Sequence, residues 1–217
     1  VSTVLSTSED VAKAGSITAS DVDGDKLTYA VASQGSIGSV SIDATTGKYT
    51  YTPSANKNGA DSFVLTASDG NGGADSITVN VTVAAVNDAP KIADSVATSL
   101  STSEDITKAG SITATDVEGD TITYGVGSQG KIGTVSVDAS TGVYTYAPTA
   151  DKNGTDSFVL TASDGKGGAD SITVNVTVAA VNDAPKITAD SVSTALATTE
   201  DTAKTGSIKA TDVDGDS

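Results

Sequence analysis

Residues 6–25 read STSEDVAKAGSITASDVDGD, and 95 positions later residues 101–120 read STSEDITKAGSITATDVEGD. The string VNDAPKI at Val86 returns at Val181 with the same offset. A third copy, carrying one added residue, begins after Pro185, so that Glu9, Glu104 and Glu200 correspond; it stops at Ser217 inside DVDGD. Aligning residues 1–92 with 96–187 leaves 20 differences, mostly exchanges such as Val11/Ile106, Leu27/Ile122 and Asp23/Glu118. A fixed period of this kind is the signature of a tandem array. Near-copies in series point to a unit repeated for length, with little sign of a separate ligand for each. The expected division is repeat 1 over 1–88, repeat 2 over 89–183 and the N-terminal stub of a third repeat over 184–217. The boundaries fall where Pro90 and Pro185 restrict the backbone.

Within one repeat, seven short segments alternate apolar and polar residues and are separated by turn residues, which predicts strands near 4–7, 16–20, 27–32, 39–43, 48–52, 62–68 and 75–84. The last is the clearest: Ile77, Val79, Val81 and Val83 lie on one face and Thr78, Asn80 and Thr82 on the other. Leu27, Tyr29, Val31, Val40, Ile42, Tyr49, Tyr51, Phe63 and Leu65 are expected to fill the same core. Glycines at 47, 59 and 70 supply the turns. Seven strands in about 90 residues describe an immunoglobulin-like sandwich. The stub supplies only two such strands, too few to bury a face, so any order in it requires borrowed contacts.

Composition removes many functions. The chain has 12 basic against 28 acidic residues, a formal charge of -16, and no His, Cys, Met or Trp. All the basic residues are Lys, so no Arg can grip a phosphate or a base edge, and nucleic acid is excluded as a partner. Without His or Cys there is no Ser-His-Asp or Cys-His nucleophile and no ordinary zinc ligand. The remaining metal chemistry is that of oxygen ligands, which suits calcium or magnesium. No apolar run approaches the roughly 18 residues of a membrane span, so no membrane insertion is expected of this segment. With no initiator Met and no signal segment, the sequence reads as an internal piece of a longer chain.

Strand parity places the acids. If the first strand of a sandwich runs from top to bottom, the second and sixth loops (DVDGD and SDGNGG) lie together at the top. SED and VNDAP then lie at the bottom. In a head-to-tail array the bottom of one repeat meets the top of the next. The first junction is expected to gather Glu9, Asn87 and Asp88 with Asp116, Glu118 and Asp164. The second gathers Glu104, Asn182 and Asp183 with Asp212 and Asp214, and the matching top of repeat 1 carries Asp21, Asp23 and Asp69. Converging carboxylates repel, and the outcomes are raised pKa values, splayed domains or a bound cation. Flexible oxygen clusters of this sort prefer calcium, with about 6 to 8 ligands. The plainer alternative is that these are polar turn residues, which suits a single DVDGD better than the whole set repeated in register. Asp25 and Asp120 stand lower as ligands, since a further acid in the turn can simply face water.

The order Glu9, Asp21-x-Asp23, Ala67-x-Asp69-x-Asn71 and VNDAP over 86–90 resembles cadherin-like repeats, whose matching acidic motifs bind calcium between domains. Residues 49–90 are similar to the cadherin-like tandem repeats of giant bacterial surface adhesins, and the resemblance covers essentially the whole chain. It implies an all-β fold of tandem immunoglobulin/cadherin-like seven-stranded Greek-key sandwiches and an extracellular place on a bacterial surface. One departure is that Thr52-Pro53 replaces the acidic pair that animal cadherins carry after the fifth strand; Asp61 or Asp156 is the expected partial substitute.

Other motifs are set aside. DVDGD is no EF-hand, because its Gly stands fourth and Ala32 or Gly127 replaces the terminal Glu. GNGGADSIT lacks the nine-residue period of a calcium β-helix. Asn80-Val81-Thr82 is a sequon only in a eukaryotic setting. Tyr49 and Tyr51 read as core rather than as a sugar platform, and the Thr78/Thr82 row is too short for an ice-binding face. The function expected is therefore a calcium-stiffened extender. Its partners are the adjacent repeats, and a cell surface or matrix is reached through a distal domain. The alternative is repeats that adhere directly through homophilic or glycan contacts, for which the sequence offers no surplus aromatics. No enzyme is expected.

Overall fold

The computed structural model describes residues 3–188 and 197–215. They form two compact units, Val1–Asp88 and Ala89–Ser217. Every regular element among the described residues is a strand, and no helix is long and apolar enough to cross a membrane.

The first unit has seven strands: β1 (Val4–Ser8), β2 (Lys13–Ser16), β3 (Thr28–Ser33), β4 (Gly38–Ile42), β5 (Lys48–Pro53), β6 (Gly59–Ser68) and β7 (Ala74–Ala84). They make two facing sheets, ordered β1-β7-β6-β3 and β2-β5-β4. β1 runs parallel to β7, with Leu5 opposite Val81, and the long β6–β7 ladder sets Phe63 opposite Val79. Alternation along β7 does what its sequence demands: Val79, Val81 and Val83 are buried while Thr78, Asn80 and Thr82 face solvent. Phe63 stacks on Tyr51 at 5.7 Å and meets Tyr49 edge-on at 5.5 Å, which concentrates the aromatic area of the unit at its centre. The rings explain two glycines, since a Cβ at Gly15 or Gly38 would overlap the hydroxyl end of Tyr49 or Tyr51.

The second unit repeats this plan: β8 (Lys91–Ile92), β9 (Ser99–Ser103), β10 (Lys108–Ser111), β11 (Ala114–Thr115), β12 (Thr123–Ser128), β13 (Gly133–Val137), β14 (Val143–Pro148), β15 (Gly154–Ser163) and β16 (Ala169–Ala179). Its sheets are β12-β15-β16-β9 and β10-β14-β13, with a short β11–β8 ladder beside them. Ile92 and Val96 join the core. After it, β17 (Lys186–Ile187) pairs with β18 (Ala210–Thr211), the counterparts in the third copy of β8 and β11.

Two expectations are corrected. The second strand was expected over 16–20; it lies at Lys13–Ser16, where four residues pair with β5, and in repeat 2 its counterpart Lys108–Ser111 is followed by the separate two-residue β11. Leu27 was expected inside, but it is half-buried and outside the core cluster, whereas Leu5 and Ile17 are core residues.

Candidate metal centre

The turn after β9 carries Ser103-Glu104-Asp105. Glu104 is buried, 2% exposed, and its Oε1 accepts the N–H of Val181 at 2.6 Å while Oε2 accepts from Asn153 Nδ2 at 3.4 Å. The carboxylate thus latches the exit of β16 to the turn after β9, at the same end of this parallel strand pair. Asp105 has φ of 61° and Asp151, in the loop before β15, has φ of 57°, left-handed conformations that Asp adopts more readily than most side chains. The carboxylates of Asp105, Asp151 and Asp183 each bring an oxygen within 4.8 Å of the others. Asp214 closes the group, its Oδ2 accepting the Asp183 N–H at 2.7 Å, and Asp212 Oδ1 in turn accepts the Asp214 N–H at 3.0 Å. Burial pushes the Asp183 carboxyl above its ordinary range, and the charges of Asp151, Asp214, Asp105 and Glu104 push it the same way. Its Oδ2 is buried without a hydrogen-bond partner. Asn182 donates its side-chain amide to the Asp183 carbonyl at 3.0 Å.

A second acidic group stands at the other end of this unit. Asp116 Oδ1 accepts the N–H groups of Glu118 at 3.0 Å and Asp120 at 3.1 Å, which folds the DVEGD turn around one carboxylate oxygen. Carboxylate oxygens of Asp116, Glu118 and Asp120 come within 4.8 Å of one another. Asp164, 5% exposed, is held by the Lys166 and Gly168 amides at 2.7 and 3.0 Å. Lys166 reaches Asp120 at 2.6 Å, and Asp120, Asp116 and Asp164 all favour its charged form. Asp116 Oδ2 and Asp120 Oδ2 are buried and accept no hydrogen bond.

Unit 1 shows the same local geometry. Glu9 accepts from Val86 N at 2.6 Å and Asn58 Nδ2 at 3.4 Å, and Asn87 Nδ2 donates to the Asp88 carbonyl at 3.0 Å. At its other end Asp21 Oδ1 accepts from the amides of Asp23 and Asp25, and Asp69 Oδ1 from those of Asn71 and Gly73. There Asn71, the counterpart of Lys166, donates to Asp25 Oδ2 at 2.8 Å.

The structure therefore brings Glu104, Asp183 and Asp214 together, but with two acids the sequence analysis passed over, Asp105 and Asp151. Asp120, ranked lower, stands in the cluster with Asp116 and Glu118. Asp151 was findable: its loop joins the fifth strand to the sixth, which by the same parity lies at the bottom beside SED and VNDAP, and it replaces Asn56 of repeat 1. The expected substitutes fail. Asp61 and Asp156 are buried within β6 and β15, and their oxygens are committed to other donors: Asp156 accepts from the Lys131, Ile132 and Ser157 amides and from the Tyr146 hydroxyl. A carboxylate so filled anchors a core tyrosine and has no place at a domain end. The two exposed-end clusters, by contrast, fit calcium: the donors are all oxygen, several per cluster, and three buried carboxylate oxygens lack hydrogen bonds.

Residues 87–180 match the model of the bacterial cadherin-like domain and residues 1–82 that of the bacterial Ig domain. Human protocadherin-15 is 36% identical over 106 residues, which is 46% of this chain and 5% of that protein. Among solved structures, human protocadherin-24 EC1-2 superposes with a TM-score of 0.53 at 14% identity over 82% of this chain and 94% of that one. Drosophila N-cadherin EC1-4 superposes with a TM-score of 0.50 at 22% identity over 83% of this chain and 48% of that one. The chain thus spans only a small part of its curated relative, and the solved structures carry the fold. Two near-identical sandwiches in series are thus each matched by one of these family models, the first by that of the bacterial Ig domain and the second by that of the bacterial cadherin-like domain.

Proposed function

We propose that these repeats are calcium-stiffened extender modules of a large bacterial surface adhesin, placed outside the cell, where they hold a distal binding domain away from the surface. The observation that carries this reading is the gathering of Glu104, Asp105, Asp151, Asp183 and Asp214, with a buried Asp183 oxygen left without a hydrogen bond. By the repeat period, allowing for the one residue added in the third copy, the matching places at the first junction hold Glu9, Asp10, Asn56, Asp88 and Glu118, and Asn87, Asp116 and Asp164 join them as ligands. Asp212 and Asn182 belong to the second set, and Asp21, Asp23 and Asp69 form the half-set that repeat 1 presents. Calcium, when bound, supplies the positive charge that offsets carboxylate repulsion. The chain's residues do the rest: Glu9 and Glu104 latch the linker onto the sandwich that precedes it, and the DVEGD turn offers carboxylates from the sandwich that follows. Stiffness is then linked to the ion, and extracellular modules of this kind bind at about 10⁻⁴ to 10⁻³ M. Repeats that adhere directly are less well supported, since the exposed large apolar residues are scattered Val and Ile with no aromatic among them. The reading assigns no catalysis to the chain.

The test is calorimetric titration of the whole chain with calcium. Binding in the submillimolar to millimolar range that weakens in Asp183→Asn and Asp116→Asn, with both variants folded, supports the proposal. Absence of binding up to about 10 mM, well above that range, refutes it.

A further inference from the structure

We infer that Lys166 is a built-in counter-ion of the acidic group at the DVEGD end of repeat 2, one that competes with calcium for Asp120 and its neighbours and so sets the calcium concentration at which that group is filled. The inference rests on the calcium reading above and adds to it the residue that regulates it. The Lys166 ammonium lies 2.6 Å from Asp120 Oδ1, and the Asp120 side chain is only 16% exposed. A second ion pair among the described residues, Lys91 with Asp94, is 4.0 Å long and joins side chains that are 75% and 91% exposed. Asp120 is not alone at the ammonium: Asp116 and Asp164 also favour its charged form.

The turn before β16 is built to present this side chain. Asp164 Oδ1 accepts the Lys166 N–H at 2.7 Å and the Gly168 N–H at 3.0 Å, which winds residues 164–168 around one carboxylate. Gly165 and Gly167, on either side of Lys166, have φ of 74° and 113°, backbone that other residues rarely adopt. Repeat 1 has the same frame with a different tip. Asp69 Oδ1 accepts the Asn71 N–H at 2.7 Å and the Gly73 N–H at 2.9 Å, and Gly70 and Gly72 have φ of 79° and 107°. Asn71 Nδ2 donates to Asp25 Oδ2 at 2.8 Å. Residues 71 and 166 therefore reach the same last acid of the turn that follows β2 in each repeat, one with a neutral amide and the other with a full positive charge. The amide shows that a hydrogen bond alone fills this contact, so the ammonium adds charge rather than geometry.

A cation at this place acts in two directions. Without calcium it offsets repulsion among Asp116, Glu118 and Asp120, whose oxygens lie within 4.8 Å of one another. Beside a bound calcium it is a like charge, and the Asp120 oxygen it holds is withdrawn from the ligands until the ammonium swings away. Asp116 Oδ2 and Asp120 Oδ2, buried and without hydrogen bonds, are the oxygens it leaves open. The Lys166 side chain is 58% exposed, so water screens the competition. A unit charge several ångströms from a divalent ion, at a dielectric constant near that of water, weakens binding about 3- to 10-fold at low ionic strength. Salt at about 0.5 M shortens the screening length to about 4 Å and removes most of that. The DVDGD end of repeat 1, with Asn71 at the tip, lacks the device.

The experiment follows the amide resonances of Glu118, Asp120 and Gly168 in the 217-residue chain as calcium is added, for wild type, Lys166→Asn and Lys166→Arg, in about 20 mM and about 0.5 M salt. Lys166→Asn reproduces the tip of repeat 1 and keeps the turn. It is expected to bind about 3- to 10-fold more tightly than the wild type in low salt and within about 2-fold of it in high salt, while Lys166→Arg stays with the wild type. In chelator and low salt the sign reverses, and Lys166→Asn should have the lower Tm. In the wild type the Lys166 side-chain nitrogen resonance should move in step with the amides, as the ammonium leaves Asp120. The Asp183 amide, at the other end of the unit, should titrate alike in all three chains. Equal affinities of wild type and Lys166→Asn in low salt overturn the inference and leave the calcium reading standing. So does a Lys166→Arg that binds as tightly as Lys166→Asn, since the effect then belongs to the shape of the side chain. Resonances that stay fixed in all three chains up to about 10 mM calcium overturn the calcium reading and the inference with it.

Discussion

Asp156 offers the sharpest test of how each sandwich is held. Its carboxylate is 8% exposed and accepts four hydrogen bonds, from the Lys131, Ser157 and Ile132 amides at 2.7, 2.9 and 3.2 Å and from the Tyr146 hydroxyl at 2.7 Å. Tyr146 is itself fully buried and stacks on Phe158. Asp156→Ala leaves one buried hydroxyl and three amides without their acceptor. At about 1–3 kcal/mol for each orphaned buried group, partly relieved by water, the loss is about 3–5 kcal/mol. For a domain of this size that lowers Tm by at least about 12 °C. Burial alone would raise the Asp156 carboxyl, but the hydrogen bonds from Lys131, Tyr146, Ser157 and Ile132 outweigh it and hold the group below its ordinary value. Because the folded pKa is the lower one, the stabilisation is complete above the unfolded value near 3.8 and disappears as pH falls through the folded value. The Tm gap between wild type and Asp156→Ala should therefore be large at pH 7 and shrink below about pH 4. Tyrosine fluorescence and near-UV dichroism follow the transition, with Asp61→Ala reporting the same for repeat 1. A gap under about 3 °C at pH 7, which corresponds to less than about 1 kcal/mol, would refute this account. A gap unchanged at pH 3 would refute the linkage.

Three further outcomes are expected. Gly130→Ala should destabilise repeat 2 by about 1–3 kcal/mol, because the added Cβ overlaps the Asp156 carboxylate; urea denaturation measures it. Asp151→Asn should raise Tm in chelator by relieving repulsion with Asp105 and Asp183, while reducing the Tm gained on adding calcium. Opposite signs under the two conditions separate a ligand from a turn residue. Lys166→Asn removes the cation that neutralises Asp120 and should tighten calcium binding about 3- to 10-fold at low ionic strength, with the difference narrowing as salt is added.

Period-2 alternation was enough to locate most strands, because residues such as Val79, Val81 and Val83 have one face to bury and the pleat allows no other arrangement. It misplaced the second strand. There the run Lys13–Ser16 has little alternation of its own, and its position is set by the partner β5 and by Gly15 passing over Tyr49. Nothing local in Ala114–Thr115 announces a strand either, since it is ordered by β8 from the linker. Among the acids, type and chain position identified the ends of the sandwiches but could not separate roles. Asp61 and Asp151 both follow the fifth strand, and only the three-dimensional structure shows that the first is consumed by Tyr51, Ser36, Ile37 and Ser62. Lys166 was invisible as a site residue because its meaning depends on Asp120, 46 positions away and opposite it in space.

The claim that calcium fixes the angle between successive repeats is tested most directly by small-angle scattering of the whole chain, in about 5 mM calcium and in chelator. Each repeat spans on the order of 40 Å, from strands at about 3.3 Å per residue plus loops, so bending at the Asn87 linker changes the end-to-end distance measurably. The account predicts a longer maximum dimension and a narrower distance distribution with calcium, and no such response in the Asp116→Asn/Asp164→Asn variant with both cores still folded. Superimposable profiles of the wild type with calcium and with chelator would contradict it.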